Sequence, residues 1–302
     1  MPMNTVHEPV LLHETIATLA PKDGETVLDL TLGGGGHGEA LLRAAEVRYI
    51  GIDADPEAIT RAGWRLAPWG ERAVLRTSNF RAVGSVLDEV GVEHVDKALF
   101  DLGFSSDELE LSERGFSFKK NEPLLMTFNP SQTLTAKDLL LHLSAAELAG
   151  ILRAYGEEKY AGRIAEALVE ARASKPIETT HELVAVIKDA VPALYAKGRL
   201  HPATRTFQAL RIAVNDELDA LREGLEVVWK RLKPGGRIAV ISFHSIEDRV
   251  VKIFMKERAG SGEGVLLMKK PLTPSDQEIA ENPRARSAKL RALEKKQYDK
   301  NL

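Results

Sequence analysis

The 302-residue chain contains no cysteine. That excludes disulfides, thiolate zinc sites and cysteine nucleophiles, and it is what a reducing compartment permits without demanding. Nowhere do ~18 apolar residues run uninterrupted, as a membrane helix would need. The opening stretch, "MPMNTVHEPVLLHET", lacks the basic flank and apolar centre of an export signal. The expectation is a soluble, cytoplasmic protein with no membrane partner. An excess of one charge is missing as well: 41 Lys and Arg face 44 Asp and Glu, a formal net charge of -3. No global field therefore recruits nucleic acid, and any polyanion site must be a local patch. Internal repeats and low-complexity tracts are also absent.

What is present reads as an α/β protein. Between residues 25 and 104 the short apolar runs "TVLDL", "RYIGID", "AVLRT" and "KALFDL" alternate with helix-like stretches such as "GEALLRAAE" and "DPEAITRAGWRLA". Such alternation predicts βαβ units and a parallel sheet. From Thr135 to about Arg199 strand character disappears, and "SAAE" from Ser144 and "TTHE" from Thr179 read as capping boxes. An all-helical insertion accounts for this. The stretch "TRTFQALRIAVNDELDALREGLEVVWKRL" spaces Phe207, Leu210, Val214, Leu218, Leu221 and Leu225 as one amphipathic helix packed on the sheet. "KPGGRIAVISF" follows, a Pro-Gly-Gly turn and a buried strand, so the sheet closes after the insertion. The expected boundaries are 1–106 for the first part of the core, 107–200 for the insertion and 201–302 for the second part, which ends in a basic tail.

"DLTLGGGGHG", residues 29–38, is the first candidate site. A glycine-rich turn between the first strand and first helix of a doubly wound sheet lets a ligand approach backbone and helix N-terminus closely. Gly33, Gly35 and Gly38 fit a dinucleotide fingerprint, with Asp53 about 20 residues on to bind ribose hydroxyls. Taken alone the pattern allows NAD. Two features favour S-adenosylmethionine. Asp29 would hold the cationic amino-acid end of that cofactor but repel a pyrophosphate. The second is "DLGF", residues 101–104, which ends the fourth strand, where ligands of open α/β sheets bind. An acid followed three residues later by an aromatic is similar to the motif of methyltransferases that act on exocyclic base amines. There Asp101 would accept hydrogens of a poorly nucleophilic amine and Phe104 would stack the extruded base. Packing is the plainer reading of Phe104, and loop anchoring that of Asp101.

With "HEPVLLHE", "DLTLGGGGH", "DLGFSS", "ERGFSF", "YGEEKYAGRIAEA", "HPATRTFQALRI", "PGGRIAVISFHSIEDR" and "ENPRARSAKLR" in this order, the chain resembles the bacterial small-subunit ribosomal RNA cytosine-N4 methyltransferases over residues 7–291. The resemblance implies a class I S-adenosylmethionine-dependent methyltransferase core, Rossmann-like and with a parallel-rich sheet, carrying an inserted all-helical domain. It implies methylation of the exocyclic amine of a decoding-centre cytidine on the small ribosomal subunit. Carried over by motif, the cofactor residues are Gly34, Gly35, Gly36, His37, Asp53, Phe80, Asp101 and Glu108, and the catalytic pair is Asp101 with Phe104. Asp101 would orient either the amine or the cofactor. A homodimer is compatible with the sequence.

Three departures stand out. Glu108 occupies a position that is usually Gln and so lacks the amide donor. "PLLMTFNP", residues 123–130, has Leu125, Thr127 and Asn129 where the family usually carries charge. Gly38 is commonly Ser there, which makes it look incidental. The altered segment keeps a second reading in play, an RNA-binding ribosome-assembly factor with weakened catalysis; an NAD dehydrogenase would need a hydride-accepting site and proton donor that are not found. His37, His201 and His244 match no zinc spacing, and no metal is expected. His244 either reaches the crevice or orders its turn through Glu247 or Asp248. Arg205, Arg211, Arg284, Arg286 and Arg291 are candidates for RNA phosphate contacts.

Overall fold

The computed structural model describes residues 9–102, 113–198 and 200–297. Two compact units divide the chain, one within Met1–Ser105 and Leu218–Leu302, the other within Ser106–Glu217. No helix among the described residues is long and apolar enough to cross a membrane.

In the first unit, strands β1 (Thr26–Asp29), β2 (Arg48–Asp53), β3 (Ala73–Thr77) and β4 (Val95–Asp101) alternate with helices α2 (Gly36–Ala44), α3 (Pro56–Leu66) and α4 (Val83–Glu89), after a first helix α1 (Leu12–Leu19). Asp55 caps α3 by accepting the Glu57 N–H, and Pro56 sits where a missing N–H costs nothing. Late in the chain come β5 (Leu232–Ser242), β6 (Gly264–Leu266) and β7 (Lys289–Lys295). Among the described residues the seven strands form one sheet in the order β3-β2-β1-β4-β5-β7-β6. The first five strands run parallel, whereas β7 is antiparallel to both neighbours. This is the doubly wound, Rossmann-like architecture that the alternating runs predict. Leu28, Ile50, Leu99 and Ile241 are wholly buried in its central strands, as a sheet covered on both faces requires.

Two expectations change here. Pro-Gly-Gly does not precede β5 but forms a bulge within it: Val95 pairs with Leu232 and Lys97 already with Arg237. Gly235 takes φ 78° there, and a Cβ on Gly236 would stand 2.8 Å from the Asp96 carbonyl. Part of the basic segment expected as a tail is instead β7, with Leu290, Ala292 and Leu293 buried. Its cations are engaged rather than free, Lys295 donating to the Trp229 and Leu232 carbonyls.

The second unit holds α5 (Ala136–His142), α6 (Ala145–Gly156), α7 (Ala161–Ser174), α8 (Thr180–Ala190), α9 (Ala193–Ala196) and α10 (Thr204–Asn215). Ser144 and Thr179 form the predicted capping boxes with Glu147 and Glu182, and Thr135 with Asp138 makes a third. Leu148, Leu152, Ile164, Leu168, Leu183, Phe207 and Leu210 are buried within it.

Helix α10 belongs to this unit, whereas the expected boundary at 200 assigns it to the core. The physical reason is close packing on α6: a Cβ on Gly156 would lie 2.6 Å from the Arg205 carbonyl, and Gln208 Nε2 donates to the Tyr155 carbonyl at 2.9 Å. The single long helix expected from Thr204 onward is two. Asp216 breaks it in the left-handed region, φ 49°, a conformation that Asn and Asp tolerate better than most residues. Helix α11 (Glu217–Arg231) follows as a separate helix. Asn215 fixes the break, donating to the carbonyls of Met126 and Arg211 and accepting from the Phe128 N–H.

Candidate functional site

The carboxyl ends of β1, β2, β3 and β4 lie side by side. Asp29 pairs in register with Gly51 and Leu99, and Asp53 with Thr77. Chain order reverses between β1 and β4, and at such a switch point the connecting loops diverge and leave a crevice. The loop after β1 and the end of β4 flank it. Gly34, Gly35, Gly36, His37 and Asp101 come from these two edges, while Asp53 and Phe80 follow β2 and β3. Phe104 and Glu108 lie outside the described residues.

The four glycines do different work. An added Cβ would meet nothing within 4 Å at Gly34 and only the Thr31 carbonyl at 4.0 Å at Gly33, so this part of the loop is open. Gly35 takes φ 77° and backs onto Ala62 of α3, 3.2 Å from such a Cβ. At Gly36 the Cβ would strike Pro9 Cγ at 2.4 Å. The glycine requirement at 35 and 36 thus comes from packing behind the loop. Gly38, which looked incidental, is fixed in the same way: its Cβ would fall 2.5 Å from Tyr49 Oη. Helix α2 begins without a side-chain cap, and the first-turn N–H groups of an α-helix have no intrahelical acceptor. They are available to an anionic group.

Asp53 braces the open loop. Its Oδ2 accepts the Gly33 N–H at 2.8 Å and its Oδ1 the Asp55 N–H at 2.9 Å. Burial pushes its carboxyl above the usual range against those two hydrogen bonds, and the neighbouring Asp55 adds to the rise. Each oxygen retains a further lone pair for a hydroxyl. The Ser78 N–H donates to the Asp53 carbonyl, tying the end of β3, and hence Phe80, to the end of β2. Phe80 is half-buried, edge-on to Phe100 with ring centroids 6.0 Å apart, and a Cβ on Gly224 would approach it to 3.1 Å.

Asp29 does not fill the part expected of it. Its carboxylate is 1% exposed and accepts the Tyr49 hydroxyl at 2.7 Å and the Thr31 N–H at 3.1 Å. Burial pushes its pKa up to about 6, the two hydrogen bonds opposing. Such an arrangement anchors the loop from beneath, where a ligand does not reach.

Asp101 and His37 come together. The ring of His37, 6% exposed, places Nε2 3.1 Å from the Val10 carbonyl and Nδ1 3.5 Å from Asp101 Oδ2. A carbonyl only accepts, so Nε2 carries a hydrogen. A bond to Asp101 then needs a second proton, on Nδ1 or on the carboxyl. The imidazole thus faces Asp101. Thr31, which sequence reading passed over, accepts the Asp101 N–H with its hydroxyl. A hydroxyl two residues beyond Asp29 was the available signal.

His244 resolves toward turn ordering. It caps helix α12 (Ser245–Gly260), its Nδ1 accepting the Glu247 N–H at 3.3 Å while Nε2 lies 3.0 Å from Glu247 Oε1. Two arginines expected at phosphates are engaged elsewhere. Arg291 grips Asp248 through Nε at 2.7 Å and Nη2 at 3.1 Å. Arg211 holds both oxygens of Glu217 at 2.7 Å. Segment 123–130 is ordered without the missing charges, since the Arg114 guanidinium donates to the carbonyls of Thr127 and Phe128 and the Met126 N–H to that of Arg114.

Comparison with known proteins identifies the family. The family model described as the MraW methylase family matches residues 4–296. A protein of Heliobacterium modesticaldum called ribosomal RNA small subunit methyltransferase H is 48% identical over 96% of this chain and 98% of its own. Proteins of the same name from Syntrophotalea carbinolica and Geobacter sulfurreducens are each 47% identical, over 95% and 97% of this chain and 97% and 100% of theirs. With near-complete coverage in both directions, the chain belongs to the MraW methylase family.

Proposed function

We propose that this chain transfers the methyl group of S-adenosylmethionine to the exocyclic N4 amine of a decoding-centre cytidine in small-subunit ribosomal RNA, acting on the small ribosomal subunit in the cytoplasm. The observation that carries the reading is the open loop at Gly33 and Gly34, set between the uncapped start of α2 and the Asp53 carboxylate in a chain of a methylase family. The donor set suits that cofactor. The N-terminus of α2 matches its carboxylate, the remaining lone pairs of Asp53 match two ribose hydroxyls, and the half-buried ring of Phe80 matches a flat heterocycle.

When bound, the cofactor supplies a methyl group made electrophilic by a sulfonium centre. The protein supplies position and electrostatics. Asp101, at the strand end beside the loop, accepts a hydrogen of the base amine, which counters delocalisation of the nitrogen lone pair into the ring and aims it. His37 holds that carboxylate from behind, itself fixed by the Val10 carbonyl. With the cofactor bound, attack by N4 would take the methyl group as its bond to sulfur broke, and the proton lost by the amine would pass to Asp101 or to water. On motif grounds Phe104 stacks the base and Glu108 touches the cofactor.

Incubating the protein and labelled S-adenosylmethionine with small subunits that lack the modification, then identifying the labelled nucleoside by mass spectrometry, tests the reading. Label on N4 of cytidine is the expected result. Cofactor binding without transfer would instead favour an RNA-binding assembly factor.

A further inference from the structure

Two of the sequence blocks behind the family resemblance, "YGEEKYAGRIAEA" and "HPATRTFQALRI", belong to the helical unit and take no part in the chemistry above. Within the helical unit they meet. Arg205 Nη1, from the second block, donates to the Glu157 carbonyl at 3.0 Å. Here Tyr160 and Tyr195 pack edge to face, centroids 4.8 Å apart, and Lys159 Nζ stands 5.0 Å from one ring centroid and 4.9 Å from the other. Glu158, 2% exposed, fixes the pair from inside: its Oε1 accepts the Tyr160 N–H at 2.8 Å and its Oε2 the Tyr195 hydroxyl at 2.6 Å. Both tyrosines are half-buried, so each ring keeps a part toward solvent.

Several cations stand around the pair, beside the buried Glu158 and the exposed Glu157. Arg153, Lys159 and Lys197 are exposed, and none makes an ion pair with a carboxylate among the described residues. Elsewhere in the same unit Lys137 and Lys175 are neutralised by Glu178 and Glu182, each at 2.6 Å. Arg153 Nη2 lies 3.5 Å from the place of a Cβ on Gly162, beside the start of α7, and Lys197 ends α9 just past Tyr195. Cations left unpaired around aromatic rings held rigidly by a buried acid are what a single strand of nucleic acid needs: rings stack bases and cations take phosphates. The net charge of the whole chain hides such a patch.

We propose that this face, built from Arg153, Lys159, Tyr160, Tyr195, Lys197 and Arg205, binds a single-stranded segment of the ribosomal RNA substrate, with Tyr160 and Tyr195 as the stacking platform. The inference rests on the reading of the chain as a ribosomal RNA methyltransferase. It assigns RNA recognition to residues of the helical unit and does not draw on Arg291 of β7.

Binding of the full chain to small subunits is measured at several salt concentrations for wild type, Tyr160→Ala, Tyr160→Phe and the double variant Lys159→Ala/Lys197→Ala, with S-adenosylmethionine affinity measured in parallel. The expected result is about tenfold weaker binding for Tyr160→Ala, retained binding for Tyr160→Phe, and a salt slope reduced by about 0.7 for each lysine removed, all with cofactor affinity unchanged. Ultraviolet crosslinking of the wild-type complex should leave a nucleotide on a peptide containing Tyr160 or Tyr195. Unchanged affinity and slope in the variants would overturn the assignment, as would a crosslink to a ribosomal protein instead of RNA. A wild-type chain that binds cofactor but no subunit at all would overturn the methyltransferase reading together with it, so the two failures are distinguishable.

Discussion

The Tyr49 hydroxyl donates to Asp29 Oδ2 at 2.7 Å, and both side chains are sealed from solvent beneath the glycine loop. Burial raises the Asp29 pKa to about 6, so between about pH 4 and pH 6 the folded chain binds more protons here than the unfolded chain. Stability contributed by this group is therefore full at low pH and falls as pH rises through 6, by an amount on the order of 3 kcal/mol. In Asp29→Asn that downward slope between pH 4 and 6 should be flattened relative to wild type, as read from urea unfolding at each pH. Parallel pH profiles for the two proteins would refute the pKa assignment.

Asp53 is expected to act through the loop it braces. Removing its carboxylate in Asp53→Ala frees the Gly33 N–H and deletes the hydroxyl acceptor, and hydrogen bonds to charged groups contribute roughly 1.5–3 kcal/mol. The dissociation constant for S-adenosylmethionine in calorimetry should rise about 10- to 100-fold, with a smaller rise for Asp53→Asn. Equal affinity in all three proteins would remove Asp53 from the cofactor site.

For Asp101 the expectation is a kinetic defect. Asp101→Asn keeps the size of the side chain and abolishes its charge, so kcat for methyl transfer should drop at least about 100-fold while cofactor affinity stays within about threefold. Should the affinity collapse instead, Asp101 would be a cofactor ligand and not the group that orients the amine.

Arg291 should matter to stability alone. Although burial pushes the other way, Arg291 and Lys289 hold the Asp248 carboxyl below its usual range. A depressed carboxyl stabilises the fold above the unfolded-state pKa and loses that contribution as pH falls. Arg291→Ala should cost about 2–4 kcal/mol at pH 7 and less below about pH 4, with the salt dependence of subunit binding unaltered. A changed salt slope would return Arg291 to the RNA interface.

Local signals in the sequence carried the parallel part of the sheet, the glycine turn after β1 and two capping boxes, because each rests on contacts within a few residues. Long-range packing was harder to read. Gly38 is set by Tyr49, a residue on the next strand, and nothing adjacent to Gly38 announces it. In "KLRALEK" the charged residues outnumber the apolar ones, so the buried Leu290, Ala292 and Leu293 of β7 pass for a charged tail. The break at Asp216 sits inside unbroken helical periodicity, and only the hydrogen bonds of Asn215 to residues 126 and 128 show why the helix stops. Asp29 and Asp101 both end strands and look alike in sequence, yet one faces inward and the other meets His37.

The sheet order has a consequence for the chain as it is made. Strand β4 pairs on its outer edge with β5, yet roughly 130 residues separate Asp101 from Leu232. At translation rates of about 5–20 residues per second that interval lasts roughly 7–26 s. During it the nascent half-sheet carries an unpaired, apolar edge of the kind that invites pairing with other chains. The helical unit is synthesised in that gap and has its own buried interior. A newborn chain thus spends its most aggregation-prone seconds completing one module while its sheet still waits for β5, β7 and β6.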